Sequence, residues 1–210
     1  MHIYKTQREP SFTKRYNHTG KMVLDSVVIG SKKINSETIK QKTSMLKDQS
    51  IKNLPPNEFI ENYIITRTQL LGYITQFRNI AFNAERFKNS NQLDHNIENL
   101  YSAKKTEAQK IQDTVMSETL NLAGKFESEL DEKLLEKFYS KLEHNLEKAN
   151  QSYLTKLKKF IFGKIKKSET EKNIYKITIE QQISIKTLEQ NMTELAGQKV
   201  KIKFKKRDNP

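Results

Sequence analysis

Residues 57–88, "NEFIENYIITRTQLLGYITQFRNIAFNAERFK", constrain the fold more than any other stretch. Phe59, Tyr63, Thr66, Leu70, Tyr73, Phe77, Ile80, Ala84 and Phe87 recur at alternating steps of four and three. That spacing is the seam of a long helix packed lengthwise on a neighbour. A second row, Ile60, Ile64, Leu71, Ile74 and Ala81, runs beside it and is interrupted by Arg67 and Arg78. A stripe so wide requires more than one neighbouring helix to bury it. The preceding "LPP" can open the helix, because proline lacks a donor that the first turn leaves unused anyway. Aromatics at helical spacing are read as core rather than as a cofactor box.

Two further helices are expected, over 93–123 and 129–162. Gly124 follows "NLA" where a left-handed residue could close the first of them. Ser128 is expected to cap the second, with Asp131 three residues on and Glu129, Asp131 and Glu132 loading its first turn. The rival is one helix of about 70 residues, roughly 105 Å long. In the second helix Leu135, Phe138, Leu142, Leu146, Ala149, Tyr153, Leu157 and Phe160 share one face. The 93–123 segment is sparser in apolar residues and is expected to lie outermost.

The period then changes. Tyr175, Ile177, Ile179, Ile183 and Ile185 alternate with polar residues, interrupted on the apolar side by Gln181, and predict a strand over 174–186. Val200, Ile202 and Phe204 alternate with Lys199, Lys201, Lys203 and Lys205 and predict another. Between them Leu188, Met192 and Leu195 fit a short helix that Gly197 stops. Two strands alone are marginal, so Met22–Ile29, "MVLDSVVI", is expected to join them. The fold class is therefore mainly α: an antiparallel, coiled-coil-like bundle of long helices, with a small sheet made by a C-terminal β-α-β unit and an N-terminal strand. By position, 1–20 reads as a flexible basic arm, 21–54 as a strand and short helix, 55–165 as the bundle and 173–207 as the small α+β unit.

Chemistry is conspicuous by exclusion. With no cysteine among 210 residues, neither a disulfide framework nor a thiolate site is possible. The six glycines are scattered, so no phosphate-cradling loop forms. His2, His18, His95 and His144 make no pair at helical ligand spacing. Glu127, Glu129, Asp131, Glu132 and Glu136 interleave with Lys133 and Lys137, as a solvated helix face does. No serine elbow is present. The expectation is a non-enzyme with no cofactor and no metal. No run approaches the about 18 apolar residues of a membrane span, and the N-terminal residues lack a secretory apolar region. A cytoplasmic location is the expectation.

What remains is charge. The net charge of +13 divides into basic ends and a middle, residues 91–152, that carries −4. In "YLTKLKKFIFGKIKK", residues 153–167, the amphipathic stripe fails at Gly163, so the helix is expected to end there with Lys164, Lys166 and Lys167 near its negative pole. Lys159 and Phe162 beside them, with the lysines, are candidates for contact with an acidic protein or nucleic acid. A membrane-surface helix would need a longer unbroken apolar face. The second basic feature is "KVKIKFKKR": Lys199, Lys201, Lys203, Lys205, Lys206 and Arg207. Lysines on one strand face guard against edge-to-edge association, or read a phosphate backbone. The leading expectation is an adaptor or assembly subunit of a larger machine, of the secretion, conjugation or virion type. It would bind other proteins, or a second copy of itself, through its helical seams. The alternative is a nucleic-acid-binding accessory protein without sequence specificity.

Overall fold

A computed structural model describes residues 22–88, 112–162 and 169–206; the arm at 1–20 and the whole 93–111 stretch lie outside the described residues. The chain is mostly helical with one small sheet. Strand β1 (Met22–Ile29) pairs antiparallel with β2 (Lys32–Asn35) on one side and with β3 (Val200–Lys206) on the other. The β1–β2 connection is the two-residue turn Gly30–Ser31, and Gly30 has φ +59°, the left-handed conformation such hairpins require at their first central position. A bulge at Asp25 lies between the Leu24–Phe204 and Ser26–Lys203 pairs. The strand expected at 22–29 is present, and the one expected at 199–205 runs over 200–206; β2 is an addition to them.

Asn35 ends β2 and caps helix α1 (Ser36–Leu46), its Oδ1 accepting from the Thr38 amide at 2.8 Å. Helix α2 (Pro56–Lys88) follows the "LPP" signal and is the centre of the molecule. From Asn62 to Leu71 nearly every residue is buried, whichever way it points. The sheet, α1, α3 (Ser117–Glu127) and α5 (Glu169–Ala196) all pack on it. That answers the double stripe: the rows of Tyr63, Thr66 and Leu70 and of Ile64 and Leu71 meet different neighbours. Gly72 permits the closest approach, since a Cβ there would stand 3.1 Å from Leu24 Cδ2 on β1. The side chains of Phe77, Ile80, Ala84 and Phe87 lie outside the described residues.

Two expectations around residue 128 are corrected in detail. A π-helical turn (Gln112–Met116) leads into α3, and Gly124 sits inside α3 in ordinary helical geometry rather than closing it. Ser128 ends α3 instead of starting the next helix, its hydroxyl donating to the Lys125 carbonyl at 2.8 Å. Asp131 is the cap of α4 (Glu132–Phe162), its Oδ1 accepting from the Leu134 amide at 3.1 Å. The two-helix reading itself stands, because the break exists. Phe126 at the end of α3 is fully buried and meets Phe59 edge-on with ring centroids 5.1 Å apart. On α4, Phe138 is buried and Leu135, Leu142, Leu146 and Ala149 are half-buried, on the face foreseen.

The larger correction is α5. Residues 174–186 are not a strand: they belong to a 28-residue helix, so the C-terminal β-α-β unit does not exist. Among the described residues of α5, Thr178, Gln181, Thr187, Asn191 and Met192 are buried, and Ile185, Leu188 and Leu195 are half-buried beside them. Four of the five buried residues are polar, and they hid the helical period. Ile179 is only half-buried as a result. Gly197, φ +62°, ends the helix as expected and returns the chain into β3. The core gathers Leu24, Val27, Ile29, Ile34, Val200 and Ile202 from the sheet with Ile39, Ile64, Ile65, Leu71, Phe126 and Met192 from the helices. Among the described residues, no helix is long and apolar enough to cross a membrane.

Candidate anion-docking face

Directly paired residues share a face of a sheet, so the register decides where the lysines go. Val27–Ile202 and Ile29–Val200 face the helices. The opposite face therefore carries Lys201 beside Val28, Lys203 beside Ser26 and Lys205 beside Val23, with Lys33 on the other flank of Val28. All four lysines are exposed. Along β3 they repeat about every 6.6 Å, and Lys33 stands two strand spacings from Lys201, roughly 10 Å across the sheet.

The electrostatics of this face are one-sided. The three strands contain one acid, Asp25, whose carboxylate receives the Ser26 hydroxyl at 3.0 Å and lies 3.8 Å from Lys33 Nζ. Lys32, on the core side of the hairpin, turns away to Glu61 of α2 at 2.7 Å, where Lys42 of α1 joins it at 2.9 Å. Burial alone would raise the Glu61 carboxyl; the two lysine hydrogen bonds override it and hold it below the ordinary value. Lys201, Lys203 and Lys205 have no ion pair among the described residues, and neither do Lys199 and Lys206 at the strand ends.

The edge of β3 is closed in part by α5. The Ile202 amide donates to Glu189 Oε1 at 2.7 Å and the Val200 amide to Thr193 Oγ1 at 2.9 Å. A helix side chain thus occupies donors that an open edge would offer to another strand. The lysines are then not the sole guard of that edge.

Of the candidates read from the sequence, the structure brings Lys199, Lys201, Lys203, Lys205 and Lys206 together on one strand and its approach. Lys159 and Phe162 belong to the last turns of α4, but their side chains are outside the described residues, as are Lys164, Lys166, Lys167 and Arg207. Lys33 was missed. Its signal was present in "IGSKKIN", a Gly-Ser turn between two β-prone runs.

A second feature was not foreseen at all. Glu127 at the end of α3 accepts from the Tyr63 hydroxyl at 2.9 Å and the Tyr139 hydroxyl at 2.8 Å, and pairs with Arg67 Nη1 at 3.2 Å. Burial, with the neighbouring carboxylate adding to it and Arg67 opposing, pushes both phenols up, so they stay protonated donors. Tyr63, Arg67 and Tyr139 of this hub line one end of a cavity of about 240 Å³ between α2, α4 and α5. Arg78 lines the cavity too, its guanidinium donating to Ser184 Oγ at 3.1 Å; burial lowers its pKa and the charge of Glu180 raises it. Among the described residues, no three His, Cys, Asp or Glu side chains converge to hold a metal ion.

No protein-family model, no curated protein and no solved structure matches this chain. Function is therefore argued from these side chains alone.

Proposed function

We propose that this protein is a non-enzymatic adaptor or assembly subunit that docks onto an acidic surface of a partner protein through the outer face of its sheet. One observation carries the reading: Lys201, Lys203 and Lys205 stand exposed in a row, with Lys33 beside them, against the single acid of the three strands. Like charges held so close are unfavourable unless something neutralises them, and an acidic partner does so while gaining on-rate from the field. Helices α2, α4 and α5 are read as an antiparallel bundle that gives the sheet a rigid support. The test is titration of the full chain with a poly-glutamate peptide across ionic strength. Saturable binding that weakens with salt and is lost in Lys201→Gln/Lys203→Gln/Lys205→Gln supports the reading; equal binding by that variant contradicts it.

A second reading, a nonspecific nucleic-acid accessory protein, is favoured by the same spacing, since about 6.6 Å approximates the step between successive phosphates of an extended strand. No aromatic interleaves with the lysines on that face, so base stacking is not provided for. Four phosphate contacts would give a log–log salt slope of about −3.6 on duplex DNA and a Kd no tighter than about 10⁻⁶ M at physiological salt. Tighter duplex binding than poly-glutamate binding at equal salt would reverse the order of the two readings.

A further inference from the structure

The cavity between α2, α4 and α5 plays no part in the docking face, and it carries an inference independent of it. Its wall is mainly apolar, with Leu70 and Ile74 from α2, Leu142 and Leu146 from α4, and Leu188 and Met192 from α5; Thr187 and Asn191 of α5 add polar groups. A dry cavity of about 150 Å³ lined by such residues takes up benzene. At the same filling, 240 Å³ has room for roughly ten carbons. The shape is elongated, because Arg67 and Arg78 line it from positions three helical turns apart on α2, about 16 Å along the axis.

The two ends differ in charge. At the Arg67 end the guanidinium already has its carboxylate, Glu127, which also receives two tyrosine hydroxyls. The charges at that end are already matched. At the other end Arg78 is half-buried and, among the described residues, donates to the Ser184 hydroxyl and has no carboxylate within 4 Å; the Glu180 carboxylate, near Lys176, acts on it from further off. A cation partly withdrawn from water beside an apolar wall calls for an anion, and a guanidinium presents paired donors that fit a carboxylate. Charge and shape together select an amphipathic acid over a hydrocarbon or a polar metabolite.

We propose that this cavity binds a medium-chain carboxylate of roughly ten carbons, its tail between the leucines of α2, α4 and α5 and its head on Arg78. Burial lowers the Arg78 pKa, and the Glu180 charge, which lies beyond ion-pair distance, opposes it only in part.

The experiment is calorimetric titration of the full chain with decanoate and with decan-1-ol at about 0.15 M salt, where surface attraction is screened within roughly 8 Å. The expected result is one saturable decanoate site, with decan-1-ol at least about tenfold weaker, a charge-assisted contact of about 1.4 kcal/mol or more. Arg78→Gln should bring decanoate down to the affinity of the alcohol and leave the alcohol unchanged, which also reports that the variant is folded. The triple lysine-to-glutamine variant of β3 should bind decanoate like the unaltered chain. No decanoate binding up to about 1 mM, or equal affinities for acid and alcohol in the unaltered chain, overturns the proposal. Loss of binding in the lysine variant overturns it as well, by placing the acid on the sheet.

Discussion

Glu127 ties three elements with one carboxylate, bonding Tyr63 and Arg67 of α2 and Tyr139 of α4 from the end of α3. Its side chain is 17% exposed and that of Arg67 19%, so the pair is mostly but not wholly withdrawn from water. Glu127→Ala strands a guanidinium and a buried phenol; the expected cost is about 2–3 kcal/mol in denaturant melts, just under the range for a fully buried pair. Tyr139→Phe removes one hydrogen bond at an exposed ring and should cost about 1 kcal/mol or less. If the two variants melt alike, the hub does not hold the helices as argued. Glu61 gives a pH signature. Its carboxyl is held below the ordinary value of 4.5 by Lys32 and Lys42 despite burial. Its contribution is therefore complete above the unfolded carboxyl's pKa and is lost as pH falls through the lower folded value. Glu61→Gln should flatten the acid limb of the stability profile between the unfolded carboxyl's pKa and the lower folded value, and leave its shape near neutrality unaltered; an unchanged acid limb would rule out the lysine clamp. Capping residues were only half legible. "SELDEK" announces a helix start, but Ser128 and Asp131 are both competent caps three residues apart, and only the tertiary path of α3 assigns the first to a helix end.

Helix α5 shows why period alone misled. Ile177, Ile179, Ile183 and Ile185 alternate, yet the inward positions include Thr178 and Gln181, polar residues whose burial is decided by the neighbouring α2. Sequence patterning scores apolar residues, so a helix face built partly of buried polar groups is invisible to it. Gln182 is exposed in the middle of that helix, where Gln182→Pro should cost about 3 kcal/mol and Gln182→Ala a few tenths at most. Equal tolerance of the two would mean the segment is not helical. The short β2 escaped for a different reason: four residues with one buried apolar side chain, Ile34, leave no pattern beyond their Gly-Ser turn. By contrast the first half of the double stripe on α2, from Phe59 to Ile74, was legible, and it foretold burial on several sides. Gly72 marks the closest contact of that helix with the sheet. Gly72→Val would press on Leu24 and separate α2 from β1, with an expected loss of about 1–3 kcal/mol by overpacking. A stability gain in melts would show that the sheet yields without cost.

At the scale of the whole molecule, charge is sorted by face rather than spread evenly. Acids of the helices meet lysines in pairs such as Lys47–Glu118, Lys137–Glu194 and Lys32–Glu61, while on the outer sheet face Lys33 meets Asp25 and Lys201, Lys203 and Lys205 have no ion pair among the described residues. The lysine row itself was legible from strict alternation in "KVKIKFKK"; its company was not, because Lys33 joins it only through the pairing of β1 with β2 and β3. A docking face of this kind yields an affinity that falls with salt and depends on the row acting together. The most direct measurement is a nuclear magnetic resonance titration of the full chain with poly-glutamate, following backbone amides and lysine side chains. The account predicts that the largest shifts fall on Lys33, Lys201, Lys203 and Lys205 and their partners Val23, Ser26 and Val28, and that they vanish at high salt. Shifts concentrated on the helices, with the sheet face silent, would contradict it.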